Sequence, residues 1–539
     1  MQGHGGHAAA EVLRRRGVDT VFTLSGGHLF PLYDGLVERG IRLVDTRHEQ
    51  TAAFAAEGWS KLTRRLGVTM VTAGPGVTNS VSAIAGAHLA GSPLMVLGGR
   101  APAARWGSGS LQELDHVPLV ATICRRAATA TSTATLAAEV EATAAAALTA
   151  HRGPAFLDMP LDILLSTTDP TPPGPVAPER TGADPDAIAR VADLLLEAER
   201  PVLVAGSDLY WDGGEAALVR CAEALGLPVF TSGLARGTIP ADHRLAFARC
   251  RGRALAEADL VVATGVPLDF RLRFGELGAA RVVHLCDSPE QVARHLPLAA
   301  SAAGDLGAVL DLVVAAAERR GARPDRAAWL GRLRDEESAL RARETAELEA
   351  ETSPIRPGRI YGELRRRLDR DAVVIGDGGD FVSYAGRLLD THQPGCFLDP
   401  GPYGCLGTGA GYALAARLAH PDRQVVLLLG DGAAGFSLLD IDTLVRFRLP
   451  VVVIVGNNGC WGLEKHPMQA MLGYHVAAEL RQETRYDEVV RALGGHGELV
   501  TESADIGPAI DRALAAGVPA LVNVLTDPED AYPRRTMLV

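Results

Sequence analysis

The most constraining feature of the chain is a short acidic turn between two apolar runs. The tripeptide Gly430-Asp431-Gly432 follows the run 425–429, and Asn458 follows a second run at 451–455. Runs rich in β-branched residues, separated by a helix-length segment, predict a βαβ unit of a parallel sheet. Asp431 and Asn458 are 27 positions apart, which is enough for one crossover helix and the returning strand. Because such crossovers are right-handed, both side chains should lie at the carboxyl edge of the sheet, where open α/β folds bind ligands.

The side chains expected at this edge have the chemistry of a metal–diphosphate site. A carboxylate and a side-chain amide supply the hard oxygen ligands that suit Mg²⁺ bridging a diphosphate. Gly432, Ala433 and Ala434 are small, so a diphosphate can approach the backbone N–H groups of the following helix. A Gly-Asp-Gly sequence alone is more often an ordinary turn. The flanking strands, the spacing and the double asparagine favour a ligand site here.

Length and composition set the class of protein. A chain of 539 residues predicts about three domains, and 47% hydrophobic with 22% charged residues is typical of a soluble globular protein. A net charge of −12 argues against nucleic acid as a partner. No apolar run reaches the ~18 residues of a membrane span, and the N-terminus lacks the apolar core of a signal peptide. Seven cysteines without a CxxC pair predict reduced thiols and a cytoplasmic location.

Three blocks of alternating apolar runs and helical patterns follow one another along the chain. We place the domains at residues 1–165, 180–345 and 354–539. A segment rich in proline and threonine, residues 167–178, is interpreted as the first linker. The charged stretch 319–351 predicts a solvent-exposed helix. The pattern therefore predicts an α/β fold of three consecutive, doubly wound parallel-sheet domains.

Two common nucleotide-binding signatures are missing from the sequence. The first strand of the middle block runs into Val204-Ala-Gly-Ser-Asp-Leu209, which lacks GxGxxG, so a nicotinamide dehydrogenase is disfavoured. The chain also contains no GxxxxGK[ST], which disfavours a P-loop nucleotidase.

Five motifs, three in the first block and two in the third, point to one enzyme family. They are Thr46-Arg-His-Glu-Gln50, Thr72-Ala-Gly-Pro-Gly-Val-Thr-Asn79, Leu111-Gln-Glu-Leu-Asp-His116, Asp399-Pro-Gly-Pro-Tyr-Gly-Cys-Leu-Gly407 and the segment from Gly430 to Asn458. The whole chain resembles the acetolactate synthase-like branch of the thiamine-diphosphate (ThDP)-dependent enzymes, in the order pyrimidine-binding, central and diphosphate-binding domain. This resemblance implies a ThDP- and Mg²⁺-dependent enzyme that forms or breaks carbon–carbon bonds.

The resemblance assigns roles to individual residues. Glu49 corresponds to the glutamate that hydrogen-bonds the pyrimidine ring of ThDP, and a buried carboxyl group with a raised pKa is suited to that proton exchange. Asp431 and Asn458 correspond to the two side-chain ligands of Mg²⁺. Cys460 lies where the family offers a backbone carbonyl, since a thiolate is too soft a ligand for Mg²⁺. Leu406 corresponds to the apolar residue that holds the cofactor in its bent shape.

Other residues of the same motifs are expected to contact the cofactor. Those from Gly378 to Phe381 align with the family's second diphosphate-contacting segment. The complete predicted set is Glu49, Gly378, Gly379, Asp380, Phe381, Gly404, Cys405, Leu406, Gly430, Gly432, Ala433, Ala434, Asn458, Cys460, Trp461 and Gly462.

Two polar residues concern the reaction type. His28 stands where biosynthetic acetolactate synthases have alanine, whereas benzaldehyde lyase and the acetolactate synthase-like 2-hydroxyacyl-CoA lyases resemble this chain in having histidine. Gln112 matches the active-site glutamine of both lyase groups. A histidine and an amide beside the reacting carbon could exchange the proton of a substrate hydroxyl, so Glu49, His28 and Gln112 form the predicted catalytic set. For His116, a supporting or packing role is favoured at least as strongly as a role in catalysis.

The segment after Asn458 leaves the substrate open. Biosynthetic acetolactate synthases place a tryptophan nine residues after this asparagine, whereas this chain has Pro467 there and carries Trp461, as the acetolactate synthase-like lyases do. The first hypothesis is a carboligase acting on pyruvate or a related 2-keto acid. The alternative is a 2-hydroxyacyl-CoA lyase that releases an aldehyde and formyl-CoA. A non-catalytic subunit is disfavoured because Glu49 and the metal ligands are present.

The resemblance also concerns a second ligand and the assembly. The segment 265–271, Gly-Val-Pro-Leu-Asp-Phe-Arg, is similar to the flavin-binding segment of acetolactate synthase, but the family's Met-His-Gly-Thr segment has no match near 249–252. FAD in a structural role, ADP and an empty site are therefore all open. Arg534 and Arg535 could meet a CoA phosphate. Because Glu49 of one chain faces the diphosphate domain of another in this family, a homodimer or homotetramer is expected.

Overall fold

The computed structural model describes residues 3–168, 173–177, 182–321 and 324–532. Within these ranges the chain forms three six-stranded sheets, one after another along the sequence, and all strand neighbours in them are parallel. The α/β prediction is confirmed. In the same ranges, no helix combines the length and apolarity needed to cross a membrane. Arg534, Arg535 and part of the predicted linker lie outside the described residues.

The first sheet lies within residues 20–160. Its domain contains the strands β1 (Gly3–His4), β2 (Thr20–Thr23), β3 (Arg42–Asp45), β4 (Gly67–Val71), β5 (Leu94–Arg100), β6 (Arg126–Thr129), β7 (Ala155–Pro160) and β8 (Thr167–Thr168). The helices are α1 (Gly5–Arg15), α2 (Phe30–Glu38), α3 (Glu49–Thr63), α4 (Pro75–Leu89), α5 (Val117–Val120), α6 (Leu136–Leu148) and α7 (Leu161–Leu165). The sheet order is β3-β2-β4-β5-β7-β6, and β1 pairs with β8 in a separate antiparallel ribbon.

The middle sheet lies within residues 201–303. Its strands are β9 (Pro201–Ala205), β10 (Val229–Thr231), β11 (Ala246–Phe247), β12 (Leu260–Thr264), β13 (Arg281–Cys286) and β14 (Ala300–Ala303). The helices are α8 (Pro185–Glu197), α9 (Ser207–Trp211), α10 (Glu215–Leu225), α11 (Arg251–Glu257), α12 (Leu306–Arg319) and α13 (Ala327–Leu348). The sheet order is β11-β10-β9-β12-β13-β14.

The third sheet lies within residues 373–525. Its strands are β15 (Val373–Asp377), β16 (Phe397–Leu398), β17 (Val425–Gly430), β18 (Val452–Asn457), β19 (His496–Val500) and β20 (Ala520–Leu525). The helices are α14 (Pro357–Arg365), α15 (Asp380–Leu388), α16 (Thr408–Ala419), α17 (Asp431–Ser437), α18 (Ile441–Arg446), α19 (Gly462–Leu472), α20 (Tyr486–Ala492) and α21 (Ile506–Ala515). The sheet order is β16-β15-β17-β18-β20-β19.

Each sheet is covered by helices on both faces. In the third sheet, Val425 and Val453 point into one core with α16 and α18, whereas Val426 and Ile454 point into another core with α14, α15 and α21. The first and middle sheets divide their side chains between two cores in the same way. Strands buried on both faces are apolar at nearly every position, which is the pattern of the runs in the sequence. The doubly wound architecture is therefore confirmed.

One core is shared by the first and third domains. Helix α3 packs against α16, and their apolar side chains belong to one continuous cluster. Within it, Lys61 donates hydrogen bonds to Glu57 (2.8 Å) and to the Tyr412 hydroxyl (2.8 Å), and Tyr412 donates to Glu57 (2.7 Å). Ser92 also donates to Glu57 (3.1 Å). All four side chains are buried, and because each polar group is paired, the network holds α3 against α16 without an uncompensated buried charge.

The charged stretch at the end of the middle domain only partly matches the prediction. It contains α13, but one side of that helix is buried instead of exposed. Trp329 (3% exposed) and Leu333 (1%) pack on the middle domain, and the Trp329 indole donates to the Pro201 carbonyl (3.0 Å). Two apolar residues four positions apart lie on the same face of a helix. Among many charges, so short a stripe does not stand out in the sequence.

The first and middle domains meet at a cluster of charged residues. His151 Nδ1, from the first domain, lies 3.1 Å from Asp287 and 3.6 Å from Asp208, and Arg152 lies 3.0 Å from Asp212. Burial and the neighbouring charge of Asp287 raise the pKa of Asp208 to about 7. Burial disfavours the charged form of His151, but the negative charges of Asp208 and Asp287 have the larger combined effect. The pKa of the imidazole is therefore raised.

We expect this junction to weaken as the pH rises. Both pKa values exceed the ordinary values of 3.8 for Asp208 and 6.5 for His151, so the folded state binds these protons more tightly than the unfolded chain. The stabilisation that each bound proton gives to the folded state is complete at acidic pH. For Asp208 it is lost between pH 3.8 and about 7, and for His151 it is lost above pH 6.5. Each group contributes at most about 1.4 kcal/mol per pH unit.

Thermal unfolding of Asp208→Asn tests this expectation, because asparagine carries no charge at any pH. The variant should gain stability relative to the wild type as the pH is raised from about 5 to about 7. Asp311→Asn, at an exposed carboxylate paired with Arg220, serves as the control and should show no such trend. Parallel pH profiles for the wild type and Asp208→Asn would contradict the prediction.

Candidate active site

The predicted metal ligands lie together at one edge of the third sheet. Strands β17 and β18 are neighbours, and Gly430 pairs in register with Gly456, so the turns after both strands leave the sheet side by side. Asp431, at the start of α17, and Asn458, directly after β18, line the same cavity of about 490 Å³. This is the carboxyl edge at which a βαβ unit brings such residues together.

The wall of this cavity contains most of the third-domain residues expected to contact the cofactor. Cys405 and Ala434 do not line it: Ala434 is buried in the core shared by the first and third domains, and Cys405 packs against that core. The predicted residues in the wall are Gly378, Gly379, Asp380, Phe381, Gly404, Leu406, Gly430, Asp431, Gly432, Ala433, Asn458, Cys460, Trp461 and Gly462.

Backbone hydrogen bonds fix the two side chains at the sheet edge. The carboxylate oxygens of Asp431 accept the N–H groups of Gly432 (3.0 Å) and Gly459 (2.8 Å), and Asn458 Oδ1 accepts that of Cys460 (3.2 Å). Burial raises the pKa of Asp431 to about 6 and that of the Cys460 thiol to about 12. The sulfur is therefore a neutral thiol at neutral pH, and the side chains offer hard oxygen atoms to a cation.

Two glycines allow the walls of the cavity to approach each other. The Trp461 ring lies so close to Gly432 that any side chain at this position would overlap it. Gly378 has a φ of +109°, and a side chain there would begin 3.2 Å from the Ala433 Cβ atom. Only glycine combines this backbone conformation with this space. The result is a cradle of exposed backbone that suits the close approach of an anionic group.

Sequence reasoning missed Asp377, which supports the segment carrying Leu406. At the carboxyl end of β15, this buried carboxylate accepts the N–H groups of Gly407 (3.1 Å) and Gly409 (2.8 Å). Burial raises its pKa to about 7. An aspartate at the end of a buried strand was the signal available, but its partners lie about thirty positions away and could not be identified from the sequence alone.

Glu49 lies between the first and third domains. It begins α3, is 8% exposed, and accepts a hydrogen bond at Oε2 from the side-chain amide of Asn79 (3.0 Å). Two residues along α3, Thr51 donates to Asp440 of the third domain (2.6 Å). Within the single chain, however, Glu49 is not part of the cavity wall.

His28 and Gln112 lie at the edge of the first sheet and likewise do not line the cavity. His28 is 8% exposed, and its Nδ1 lies 3.0 Å from the Thr72 hydroxyl. Burial lowers the pKa of His28, while a hydrogen bond with the Leu111 backbone acts in the opposite direction. Its imidazole is therefore neutral at neutral pH and can accept a proton. Gln112 is in the left-handed region, with a φ of +58°.

The middle domain contributes two residues to the cavity wall. These are Phe270 and Arg271, and Arg271 forms an ion pair with Asp269 (2.7 Å). Burial and the neighbouring Arg271 lower the pKa of Arg251, at the start of α11. Among the described residues, the Arg251 guanidinium has no hydrogen-bond or ion-pair partner. Arg251 and Arg271 belong to the two segments that were compared with flavin-binding segments of the family. These segments therefore meet here, and the positive charge of Arg251 is not balanced by a carboxylate of the described residues.

Known thiamine enzymes match all three parts of the chain. The N-terminal TPP-binding domain of thiamine pyrophosphate enzymes matches residues 3–119, the central domain 188–313 and the C-terminal TPP-binding domain 377–524. The chain is 55% identical over 540 residues to the acetolactate synthase large subunit IlvG of Mycobacterium tuberculosis, covering 99% of this chain and 98% of the relative. The chain belongs to the acetolactate synthase-like branch of the ThDP-dependent enzymes.

Two more distant relatives of this ThDP-dependent enzyme are both named 2-hydroxyacyl-CoA lyase 2. The protein of Caenorhabditis elegans is 34% identical over 584 residues, covering 98% of this chain and 90% of the relative. That of Homo sapiens is 33% identical over 574 residues, covering 97% and 90%. The family predicted from the motifs is confirmed, the protein is an enzyme, and ThDP is its cofactor.

Proposed function

We propose that this enzyme is a carboligase of the acetolactate synthase type that acts on pyruvate or a related 2-keto acid. The observation that carries the proposal is the 55% identity, over nearly the whole chain, to a protein named acetolactate synthase large subunit. When bound, ThDP supplies the carbon nucleophile that breaks and forms carbon–carbon bonds next to a carbonyl. Binding, orientation and proton transfer fall to the side chains of this chain.

Mg²⁺ fits the oxygen atoms at the edge of the third sheet. Asp431 and Asn458 would hold the ion together with the backbone carbonyl of Cys460, and the cation would neutralise the carboxylate that burial otherwise disfavours. The glycine cradle at 378 and 432 would receive the diphosphate. Leu406, whose segment is held by Asp377, would support the cofactor from another side of the cavity.

Three side chains of the first domain would move protons. Glu49, oriented by Asn79, would exchange a proton with the pyrimidine ring of the cofactor. His28 is neutral at neutral pH, so it can accept the proton of a substrate hydroxyl and return it. Gln112 would donate a hydrogen bond from its side-chain amide to a substrate oxygen.

A 2-hydroxyacyl-CoA lyase is the second candidate. His28 and Trp461 favour it, because the acetolactate synthase-like lyases resemble this chain in having both residues. Trp461 lines the cavity and packs edge-on against Phe436, with the ring centres 6.4 Å apart. Pro467 lies inside α19, at the position where biosynthetic acetolactate synthases carry their tryptophan.

Assays with the two substrate classes separate these activities. The purified enzyme, supplied with ThDP and Mg²⁺, should release CO₂ from pyruvate and form acetolactate, and should not cleave a 2-hydroxyacyl-CoA. His28→Ala should lower turnover by about 10²- to 10⁴-fold, the usual loss for one general acid–base group. His243→Ala, at a histidine of the middle domain that pairs with the surface residue Glu223, is the control. Formyl-CoA without acetolactate would establish the lyase, and unchanged turnover of His28→Ala on both substrates would make that histidine structural.

We also propose that the active unit is at least a dimer. Within one chain the cavity contains the metal and diphosphate residues of the third domain but not Glu49, His28 or Gln112. A second copy that presents these three residues to the cavity would complete the site. Such pairing follows the arrangement expected for this family and gives two equivalent sites per dimer.

We propose, in addition, that a nucleotide binds between the middle and third domains. Arg251 and Arg271 would bind a phosphate group, which FAD and ADP share. The absorption spectrum of the purified enzyme and chromatography of nucleotide released from it would identify which of the two is bound. Arg251→Ala should lose the nucleotide, whereas Arg253→Ala, at an exposed arginine paired with Glu257, should retain it. Failure of the wild type to bind either nucleotide would refute the site.

A further inference from the structure

The turn after β4 connects the two polar residues proposed to face the substrate. Thr72 Oγ1 lies 3.0 Å from His28 Nδ1. Two residues later, Gly74 has a φ of +60°, and a side chain there would begin 3.0 Å from the Cβ atom of Gln112. His28 and Gln112 therefore pack against opposite ends of one short turn. A shift of this turn would displace both residues together.

A fully buried histidine holds this turn. His116 Nε2 accepts the N–H group of Gly74 (2.9 Å), and Nδ1 lies 3.0 Å from both carboxylate oxygens of Asp158. Because Nε2 accepts a backbone N–H, the ring proton must lie on Nδ1, from which it is donated to Asp158. His116 and Asp158 are both 0% exposed. The hydrogen bonds thus fix one neutral form and one orientation of the ring.

Asp158 is anchored in turn to the edge of the first sheet. It lies within β7, whose residues are all buried, and accepts a hydrogen bond from Arg100 (2.5 Å), the last residue of β5. The Arg100 guanidinium lies 3.6 Å from the centre of the Trp106 ring and 3.3 Å from Asp115. His116 is therefore the link between two rigid strands and the turn that carries Thr72 and Gly74.

We propose that His116 is a positioning residue of the active site, which connects Asp158 to the Gly74 N–H and so sets the orientation of His28 and Gln112. The left-handed backbone of Gln112 explains why such support is needed, because a non-glycine residue in this region is strained and persists only where its surroundings hold it. The inference rests on the proposed function in one respect, namely that His28 and Gln112 face the substrate.

Two substitutions at position 116 test the link. His116→Phe keeps a ring of similar size but can neither accept from Gly74 nor donate to Asp158. His116→Gln retains one acceptor and one donor. The phenylalanine variant should show faster hydrogen exchange at the Gly74 amide and a kcat/KM lower by about 10- to 100-fold, by analogy with the loss of a residue that orients a metal ligand. Proton–deuterium exchange at the thiazolium carbon of ThDP should stay at the wild-type rate, because Glu49 and the metal ligands lie on other elements, and Asn79, which orients Glu49, lies more than one helical turn beyond Gly74 in α4.

The glutamine variant should restore both the protection of Gly74 and most of kcat/KM. If His116→Gln were as impaired as His116→Phe although folded, or if Gly74 stayed protected in the phenylalanine variant, the proposal would be overturned. Should His116→Phe not fold, His116→Asn, whose side chain is too short to span both partners, provides the same comparison. Exchange at Gly74 is measured without substrate, so its result is independent of whether His28→Ala supports or refutes the proposed function.

Discussion

Replacing Asp431 with alanine is expected to abolish the retention of Mg²⁺ and ThDP while leaving the fold intact. The carboxylate is the charged member of the proposed ligand set, and its oxygens are fixed by the Gly432 and Gly459 amides. Losing a direct ligand should reduce affinity by more than the ~10- to 100-fold that outer-shell partners contribute. The two released amides cost about 1–3 kcal/mol each at most, which a domain with two cores tolerates. Calorimetric titration with ThDP and Mg²⁺ gives the affinity, and circular dichroism reports the fold.

Two further variants show whether the loss is specific to the metal ligand. Asp442→Ala removes a nearby carboxylate on α18 that pairs with Arg446 at the surface, and it should bind ThDP normally. Cys460→Ser should also bind normally, because burial keeps that thiol neutral and only its backbone carbonyl is proposed to meet the ion. Undiminished binding by Asp431→Ala would refute the metal assignment.

Replacing Glu49 with glutamine should slow activation of the cofactor by about 10²- to 10⁴-fold, the range for one lost general acid–base group. Glutamine has nearly the same size and can still accept the hydrogen bond from Asn79, but it cannot exchange the proton. Proton–deuterium exchange at the thiazolium carbon, followed by NMR, measures this step without substrate. His28→Ala is the informative control, since it should exchange at the wild-type rate. An equally fast Glu49→Gln enzyme would disprove the role of this carboxyl group.

The same two variants reveal which chain supplies Glu49 to the cavity. If sites form between two chains, a mixed dimer of Glu49→Gln and Asp431→Ala has one intact site and one doubly altered site. Random assortment makes half of the dimers mixed, so co-expression should recover roughly a quarter of wild-type activity. If each site forms within one chain, where Gln50 already contacts the Leu406 carbonyl (3.4 Å), co-expression would recover nothing. A monodisperse monomer with full activity in light scattering would exclude the dimer.

The parts of the fold predicted from the sequence are those with local causes. The turns at Asp431 and Asn458 follow buried strands, and the apolar runs of these strands can be recognised directly in the sequence. The topology of a βαβ unit then brings the two turns together. Asp377 ends a buried strand and Asp158 lies within one, but their functions depend on partners many positions away. The neutral ring of His116 between Asp158 and Gly74 is a tertiary arrangement that no spacing encodes. Periodicity likewise failed at α13, because its buried side contains Glu337 and Glu344 as well as apolar residues.

The core shared by α3 and α16 has a consequence for how the protein is made. Lys61 and the Tyr412 hydroxyl to which it donates are 351 positions apart, so the apolar face of α3 leaves the ribosome long before its partner helix is synthesised. Until then Glu57 and Lys61 can pair with each other but lack the hydrogen bonds with Tyr412. The alanine-rich apolar surface around them is meanwhile exposed to non-native contacts with other chains. The domain that is translated first is therefore completed only when the domain that is translated last has folded against it.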